Sequence, residues 1–180
     1  EKQLTTNSKA LGDRLGISAA QIRKDLSQFG EFGKQGTGYS VDFLINTLRI
    51  ILNVTEAWKI VVVGAGDLGH ALAHYQGFAN RGFQVSMVFD NDPKLIGKQI
   101  GAFTIQDTAG LIEKVRAAEI RVAMLTVPAS AAQKVAEELV KAGVTAILSY
   151  APIVLSLPAN IQVQYIDPIL QLQHMTYYLE

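Results

Sequence analysis

The sequence predicts an α/β protein in which a small helical region precedes a doubly wound parallel sheet, and three observations carry that prediction. Beyond about residue 58, apolar segments of strand length alternate with amphipathic helical stretches. Glycines 64, 66 and 69 stand directly behind the first of those strands, and an acid, Asp90, closes the second. Before about residue 54 the chain instead reads as short helices punctuated by serine and glycine.

Composition limits the classes available. The chain has 180 residues, of which 49% are hydrophobic and 18% charged, the profile of a globular protein with a sizeable core. Its formal net charge is zero, so any nucleic-acid binding must come from a local patch rather than a global field. It has no cysteine, which excludes disulfides and thiolate metal sites and fits a cytoplasmic protein. No apolar run approaches the roughly 20 residues of a membrane span, and no signal peptide is expected. The chain opens at "EKQLTT" without a methionine, as a trimmed chain would.

In chain order, "SKALGDRLG" gives a short helix with Leu11 and Leu15 on one face, ending at Gly16. Ser18 is placed to cap the next helix, in which Ile22, Leu26 and Phe29 follow core spacing. Lys24 and Ser27 then project the other way, with Arg23 and Gln28 on the flanks, a surface suited to reading a major groove. "EFGKQGTGYS" reads as two extended pieces around a glycine tip, where Lys34, Gly36 and Gly38 allow close approach to a phosphate backbone. Ser40 caps a third helix with an apolar stripe from Phe43 through Leu44, Thr47, Leu48 and Ile51 to Leu52. Helix, turn, helix and hairpin make a winged-helix arrangement; the same residues also suit a small helical cap with no nucleic-acid role.

The second part begins with strand Lys59 to Val63 and the glycine pattern, which supplies a tight turn, close approach to a pyrophosphate and close helix–strand packing. The helix opened by Asp67 and Leu68 aims free N–H groups at a diphosphate. Asp90 follows Gly69 by 21 residues, where a carboxylate takes both ribose hydroxyls and repels a 2′-phosphate. No arginine follows it in "DNDP", so NAD(H) is favoured over the phosphorylated cofactor. "IRVAMLTVP" is a further strand that brings Thr126, Val127 and Pro128 to the crevice, and Ser130 is expected to cap the helix after it. Tyr150, Ala151 and Pro152 follow the next strand, where they either line the nicotinamide end or pack as an ordinary loop. "IQVQYI" is the last strand, with Asp167 and Pro168 as cap and first-turn pair of a final helix. That helix, "ILQLQHMTYYLE", is apolar almost all round and calls for burial, against a partner subunit or its own domain.

The parts for catalysis are missing from this pattern. His70 and His74 share a helix face, but no third metal ligand accompanies them, and nothing after the sheet is long enough for a substrate domain. The reading therefore assigns no catalytic or metal-binding residues. A short NAD-dependent dehydrogenase and a CoA-binding module stand as the alternatives; Asp90 opposes the 3′-phosphate of the latter's ligand.

Together the halves resemble the Rex family of redox-sensing transcriptional repressors, from about Ser8 onward. The resemblance is carried by "QIRKDLSQFGEFGKQGTGY", "VGAGDLGHALAHYQGF", "FDNDP", "LTVPASAAQ" and "SYAPIVL". It implies a winged-helix DNA-binding domain over 1–54, a Rossmann-like NAD(H)-binding domain over 58–166 and a swapped dimerisation helix over 167–180. It further implies a cytoplasmic homodimer on an inverted-repeat operator, bound when NAD⁺ is abundant and released as NADH rises. By resemblance Arg23, Lys24, Ser27 and Gln28 face the operator, with Lys34, Gly36 and Gly38 in the wing. Gly64, Ala65, Gly66, Asp67, Leu68, Gly69 and Asp90 hold the dinucleotide, with Thr126 to Pro128 and Tyr150 to Pro152 around it. Tyr75 and Asp167 match positions near the nicotinamide and the subunit interface. The sequence departs from the family where Gln28 replaces a usual Tyr and where Ser149-Tyr150 replaces Asn-Phe; by resemblance the family's leading helix is expected to be missing from this stretch. NAD⁺ and NADH share their adenosine and pyrophosphate, so discrimination must lie at the nicotinamide, where an apolar wall of Ala151, Pro152 and Ile153 favours the uncharged ring.

Overall fold

The computed structural model describes residues 4–30, 32 and 38–179. The chain forms two compact units, Glu1–Glu56 and Ala57–Glu180.

The first unit holds β1 (Thr5–Thr6), α1 (Ser8–Leu15), α2 (Ala19–Ser27), β2 (Tyr39–Ser40) and α3 (Val41–Ile51). Each helix is started by a side chain that accepts an otherwise unpaired N–H: Asn7 for α1, Ser18 for α2 and Ser40 for α3. α1 ends on Gly16, as its sequence predicts. β2 pairs antiparallel with β1, a partner the sequence did not suggest; Lys34 and Gly36, at and beside the tip of the predicted hairpin, lie outside the described residues. A Cβ at position 38 would overlap the Thr6 carbonyl oxygen, so Gly38 is required by this pairing.

Two packing expectations for this unit are corrected. Phe29 is 51% exposed, because α2 ends at Ser27 and the helical spacing from Ile22 no longer applies beyond it. Phe32 fills the core instead, 6% exposed and edge-on to Phe43 with ring centroids 6.4 Å apart. The stripe on α3 is mostly outside the core: Leu44 is buried, whereas Phe43, Ile51 and Leu52 are exposed. Leu15 is exposed as well.

The second unit is a seven-stranded sheet of β3 (Trp58–Val63), β4 (Phe83–Asp90), β5 (Gln99–Ile100), β6 (Phe103–Asp107), β7 (Val122–Leu125), β8 (Ala146–Ser149) and β9 (Gln162–Tyr165). Its spatial order is β5-β6-β4-β3-β7-β8-β9, with only β5 antiparallel to its neighbour. Among the parallel strands this is the 3-2-1-4-5-6 order of the dinucleotide-binding fold, whose direction reverses between β3 and β7. Helices α4 (Asp67–His74), α5 (Leu111–Ala117) and α6 (Ala129–Ala142) follow β3, β6 and β7.

The alternation of β3 builds the core on both faces. Val61 and Val63 pack with Val115, Leu139 and Ile147 on one side, whereas Ile60 and Val62 pack with Val88 and Ile105 on the other. Ala132 and Ala136, fully buried, let α6 lie close to its face of the sheet. Pro128, not Ser130, occupies the N-cap of α6, whose first turn receives no side-chain cap. The final helix, α7 (Pro168–Tyr177), is capped by Asp167 through a 2.9 Å bond from the Ile169 N–H and has proline in its first turn, as its sequence predicts. It buries no residue: Ile169, Leu170, Leu172 and Met175 are each at least 58% exposed. No described helix is long and apolar enough to cross a membrane.

Ser149 closes β8 as, among the described residues, the one polar side chain in the otherwise apolar buried set, and among them its Oγ has no hydrogen-bond partner. An unpaired buried hydroxyl destabilises the native state, so replacing it should help. Ser149→Ala is expected to raise the unfolding free energy of the ligand-free protein by about 1 kcal/mol, measured by urea titration; a loss of stability would contradict this.

Candidate functional site

The carboxyl ends of β3, β4 and β7 converge on one glycine turn. Gly64 has φ +103°, and a Cβ there would come within 2.6 Å of the Thr126 carbonyl oxygen. A Cβ at Gly69 would overlap the Gly64 carbonyl oxygen, so α4 can pack against the turn only with glycine at that position. The Gly64 N–H donates to the Phe89 carbonyl at 2.8 Å, and the Thr126 N–H to the Val63 carbonyl at 2.9 Å. Thr126 adds its hydroxyl, 2.8 Å from the Gly64 carbonyl and 3.0 Å from that of Val63.

Asp90 completes the turn from the neighbouring strand. Its Oδ2 accepts the Ala65 N–H at 2.6 Å and its Oδ1 accepts the Asp92 N–H at 2.8 Å. These bonds fix the orientation of the carboxylate, and each oxygen retains acceptor capacity for a ligand hydroxyl. Ala65 is buried in the core, so its contribution is the backbone N–H rather than the side chain. Gly66 caps α4 with no side-chain acceptor, in contrast to the capped starts of α1, α2, α3 and α7. The open first turn at Asp67, Leu68 and Gly69 leaves donors and the positive end of the helix dipole for an anion.

A crevice of about 890 Å³ opens over this turn, within the range for cofactor sites. Gly64, Gly66, Asp90, Thr126, Val127 and Pro128 border it, so the structure brings six of the expected residues together. Its far part is bordered by residues the sequence reading did not single out: Asp92, Leu95, Asp107, Thr108, Ala109, and Ala131, Lys134 and Glu138 of α6. The strand-end rule would have indicated Asp107 to Ala109 had "FTIQD" been read as a strand. Asp90, Asp92, Asp107 and Glu138 lie in this lining and, among the described residues, Lys134 is its one cation, 4.0 Å from Glu138, so the lining is acidic.

Tyr150, Ala151, Pro152, Tyr75 and Asp167 are not among the residues bordering the crevice. Tyr150 follows β8, the strand beside β7, and donates its N–H to the Leu125 carbonyl at 2.9 Å. Burial pushes its hydroxyl above the ordinary phenol pKa. Tyr75 ends α4, half exposed and edge-on to Phe78 at 5.0 Å. His70 and His74 stack on one another at 4.5 Å, and among the described residues no group of three or more potential metal ligands occurs.

In the first unit, Arg23, Lys24, Ser27 and Gln28 are all exposed along α2 and just past its end. Arg23 donates to the Ser8 hydroxyl at 3.1 Å, tying α2 to α1, and the Ser27 hydroxyl donates to the Lys24 carbonyl at 2.8 Å.

Asp90→Ala removes the carboxylate that accepts the Ala65 and Asp92 backbone N–H groups. It is expected to weaken binding of an adenine dinucleotide about 10- to 100-fold by fluorescence titration; unchanged affinity would contradict the assignment.

Comparison with known proteins adds three findings. The CoA binding domain family matches residues 55–153. The redox-sensing transcriptional repressor Rex of Chloroflexus aggregans (strain MD-66 / DSM 9485) is 49% identical over 175 residues, 97% of this chain and 82% of that protein. Its counterpart from Brevibacillus brevis (strain 47 / JCM 6285 / NBRC 100599) is 39% identical over 97% of this chain and 84% of its own length. Among solved structures, RSP in complex with β-NAD⁺ and operator DNA superposes with a TM-score of 0.90 at 34% identity, over 97% of this chain and 81% of that one. RSP in complex with β-NADH gives 0.84 at 32% identity, over 97% and 82%.

Proposed function

The chain belongs to the Rex family of redox-sensing transcriptional repressors, with residues 55–153 in the CoA binding domain family, and on that premise we propose how its residues divide the work. It is a repressor and not an enzyme: it binds operator DNA and is released from it as NADH rises relative to NAD⁺.

The observation that carries the assignment of residues is the convergence of Asp90, the Gly64–Gly69 turn and the uncapped start of α4 on one crevice. Asp90 takes the ribose hydroxyls, and the N–H groups at Asp67, Leu68 and Gly69 take the pyrophosphate. Leu95 and Ala109 offer apolar surface to the adenine. The acidic lining opposes an additional phosphate on the adenosine, so the site suits NAD⁺ and NADH rather than CoA or the phosphorylated dinucleotides. Tyr150, Ala151 and Pro152 wall the nicotinamide end, with Tyr75 and Asp167 nearby. The bound nicotinamide supplies the redox signal as a difference in charge, and desolvation at an apolar wall turns that difference into affinity.

Residues 1–54 form the DNA-binding domain, a winged helix in which Arg23, Lys24, Ser27 and Gln28 meet the operator, with Gly38 in the wing; Lys34 and Gly36 lie outside the described residues. Residues 58–166 bind the dinucleotide. Residues 167–180 join two copies of the chain: the apolar surface of α7, exposed in the single chain, is what a second copy would bury. The protein works in the cytoplasm, where its operator is.

Lys24→Ala separates the two functions. Operator affinity should fall roughly threefold to tenfold, with the slope of its salt dependence reduced by about one, while NADH binding stays unchanged. Operator affinity equal to that of the parent protein would remove Lys24 from the interface.

A further inference from the structure

Residues 150–161 join two parallel strands, β8 and β9, without a helix. Such a crossover has few backbone bonds of its own, so its position depends on what holds it. Two side chains do so from opposite sides. Gln133, on α6, pairs with the Ser156 backbone in both directions: its Oε1 accepts the Ser156 N–H and its Nε2 donates to the Ser156 carbonyl, each at 2.9 Å. Tyr165, in β9, accepts the neighbouring Leu155 N–H on its hydroxyl at 2.8 Å. Between them Leu155 is 7% exposed and Ala151 5% exposed, so the pinned loop is seated in the core, whereas Val154 stands 86% exposed.

We propose that Gln133 and Tyr165 are positioning residues for redox discrimination, together setting how closely the 150–157 loop closes on the nicotinamide end. The inference rests on the reading above that Tyr150, Ala151 and Pro152 wall that end. Two features of the fold support it. Gln133 lies on the helix whose Ala131, Lys134 and Glu138 border the crevice, so one rigid element carries both the crevice wall and the loop's anchor. Tyr165 ends the strand that leads through Ile166 to Asp167, the cap of α7, so the loop's second anchor adjoins the helix proposed for dimerisation. A loosened loop admits water to the ring, the desolvation penalty of the charged form falls, and the preference for the neutral form declines.

The test compares three ligands on the full chain: NADH, NAD⁺ and ADP-ribose, which has the adenosine and pyrophosphate but no nicotinamide. Gln133→Met keeps the side chain's length but removes both bonds to Ser156, and Tyr165→Phe removes only the acceptor for Leu155. Each is expected to reduce the NADH-to-NAD⁺ affinity ratio about threefold to tenfold while ADP-ribose affinity stays within about twofold. An unchanged ratio in both variants would overturn the proposal. So would an equal loss for all three ligands, which would make the two side chains supports of the fold alone. A parent protein that bound NADH and NAD⁺ equally would overturn the underlying reading, independently of either variant.

Discussion

The structure of the second unit depends on one constraint: three strand ends must meet on a turn that has no room for a side chain at Gly64 or Gly69. Asp90 and Thr126 hold that turn from the two neighbouring strands, the first through the Ala65 N–H and the second through the Gly64 carbonyl. Because β3 lies between β4 and β7, the turn sits where the strand order reverses, and α4 must leave it with its first N–H groups unpaired. The crevice follows from the topology and does not need a separate device. Asp90 holds the turn and is also the carboxylate proposed to take the ribose, which couples the shape of the site to ligand binding.

Much of this was legible in the amino-acid sequence because the signals are local. The glycine spacing, the acid after the second strand and the caps Ser18, Ser40 and Asp167 each involve a few consecutive residues whose backbone demands are strict. The less legible parts depend on tertiary context. Asp107 to Ala109 reach the crevice at the end of a five-residue strand, entered through a crossover that has no helix and contains an antiparallel edge strand. Lys134 and Glu138 look like solvent-facing helix charges until the position of α6 is known. Phe29 continues a helical spacing that the chain abandons two residues earlier, and Phe32 takes its place. Ser130 has the chemistry of a cap but sits inside the helix, because Pro128 already supplies the extended residue before it.

In the proposed function the two units divide a reading task from a sensing task. In the first, exposed polar and cationic residues on α2 are carried by a helix pair stapled through Arg23 and Ser8. In the second, the proposed function assigns an acidic crevice and an apolar loop to different ends of the same dinucleotide, one for retention and one for discrimination. On the same proposal, the acidic lining is what turns a domain of the CoA binding family toward a ligand without the extra phosphate. An exposed apolar α7 gives the sensing unit a surface through which a second copy can respond, so that ligand preference for one dimer arrangement shifts the population of operator-competent molecules.

The most direct test of this account is operator affinity measured at constant salt and constant total dinucleotide while the NADH fraction is varied. The account predicts that affinity falls by roughly 5- to 150-fold from all NAD⁺ to all NADH, the range of a 1–3 kcal/mol coupling. An operator affinity that is independent of the NADH fraction, in a protein that binds both nucleotides, would contradict it.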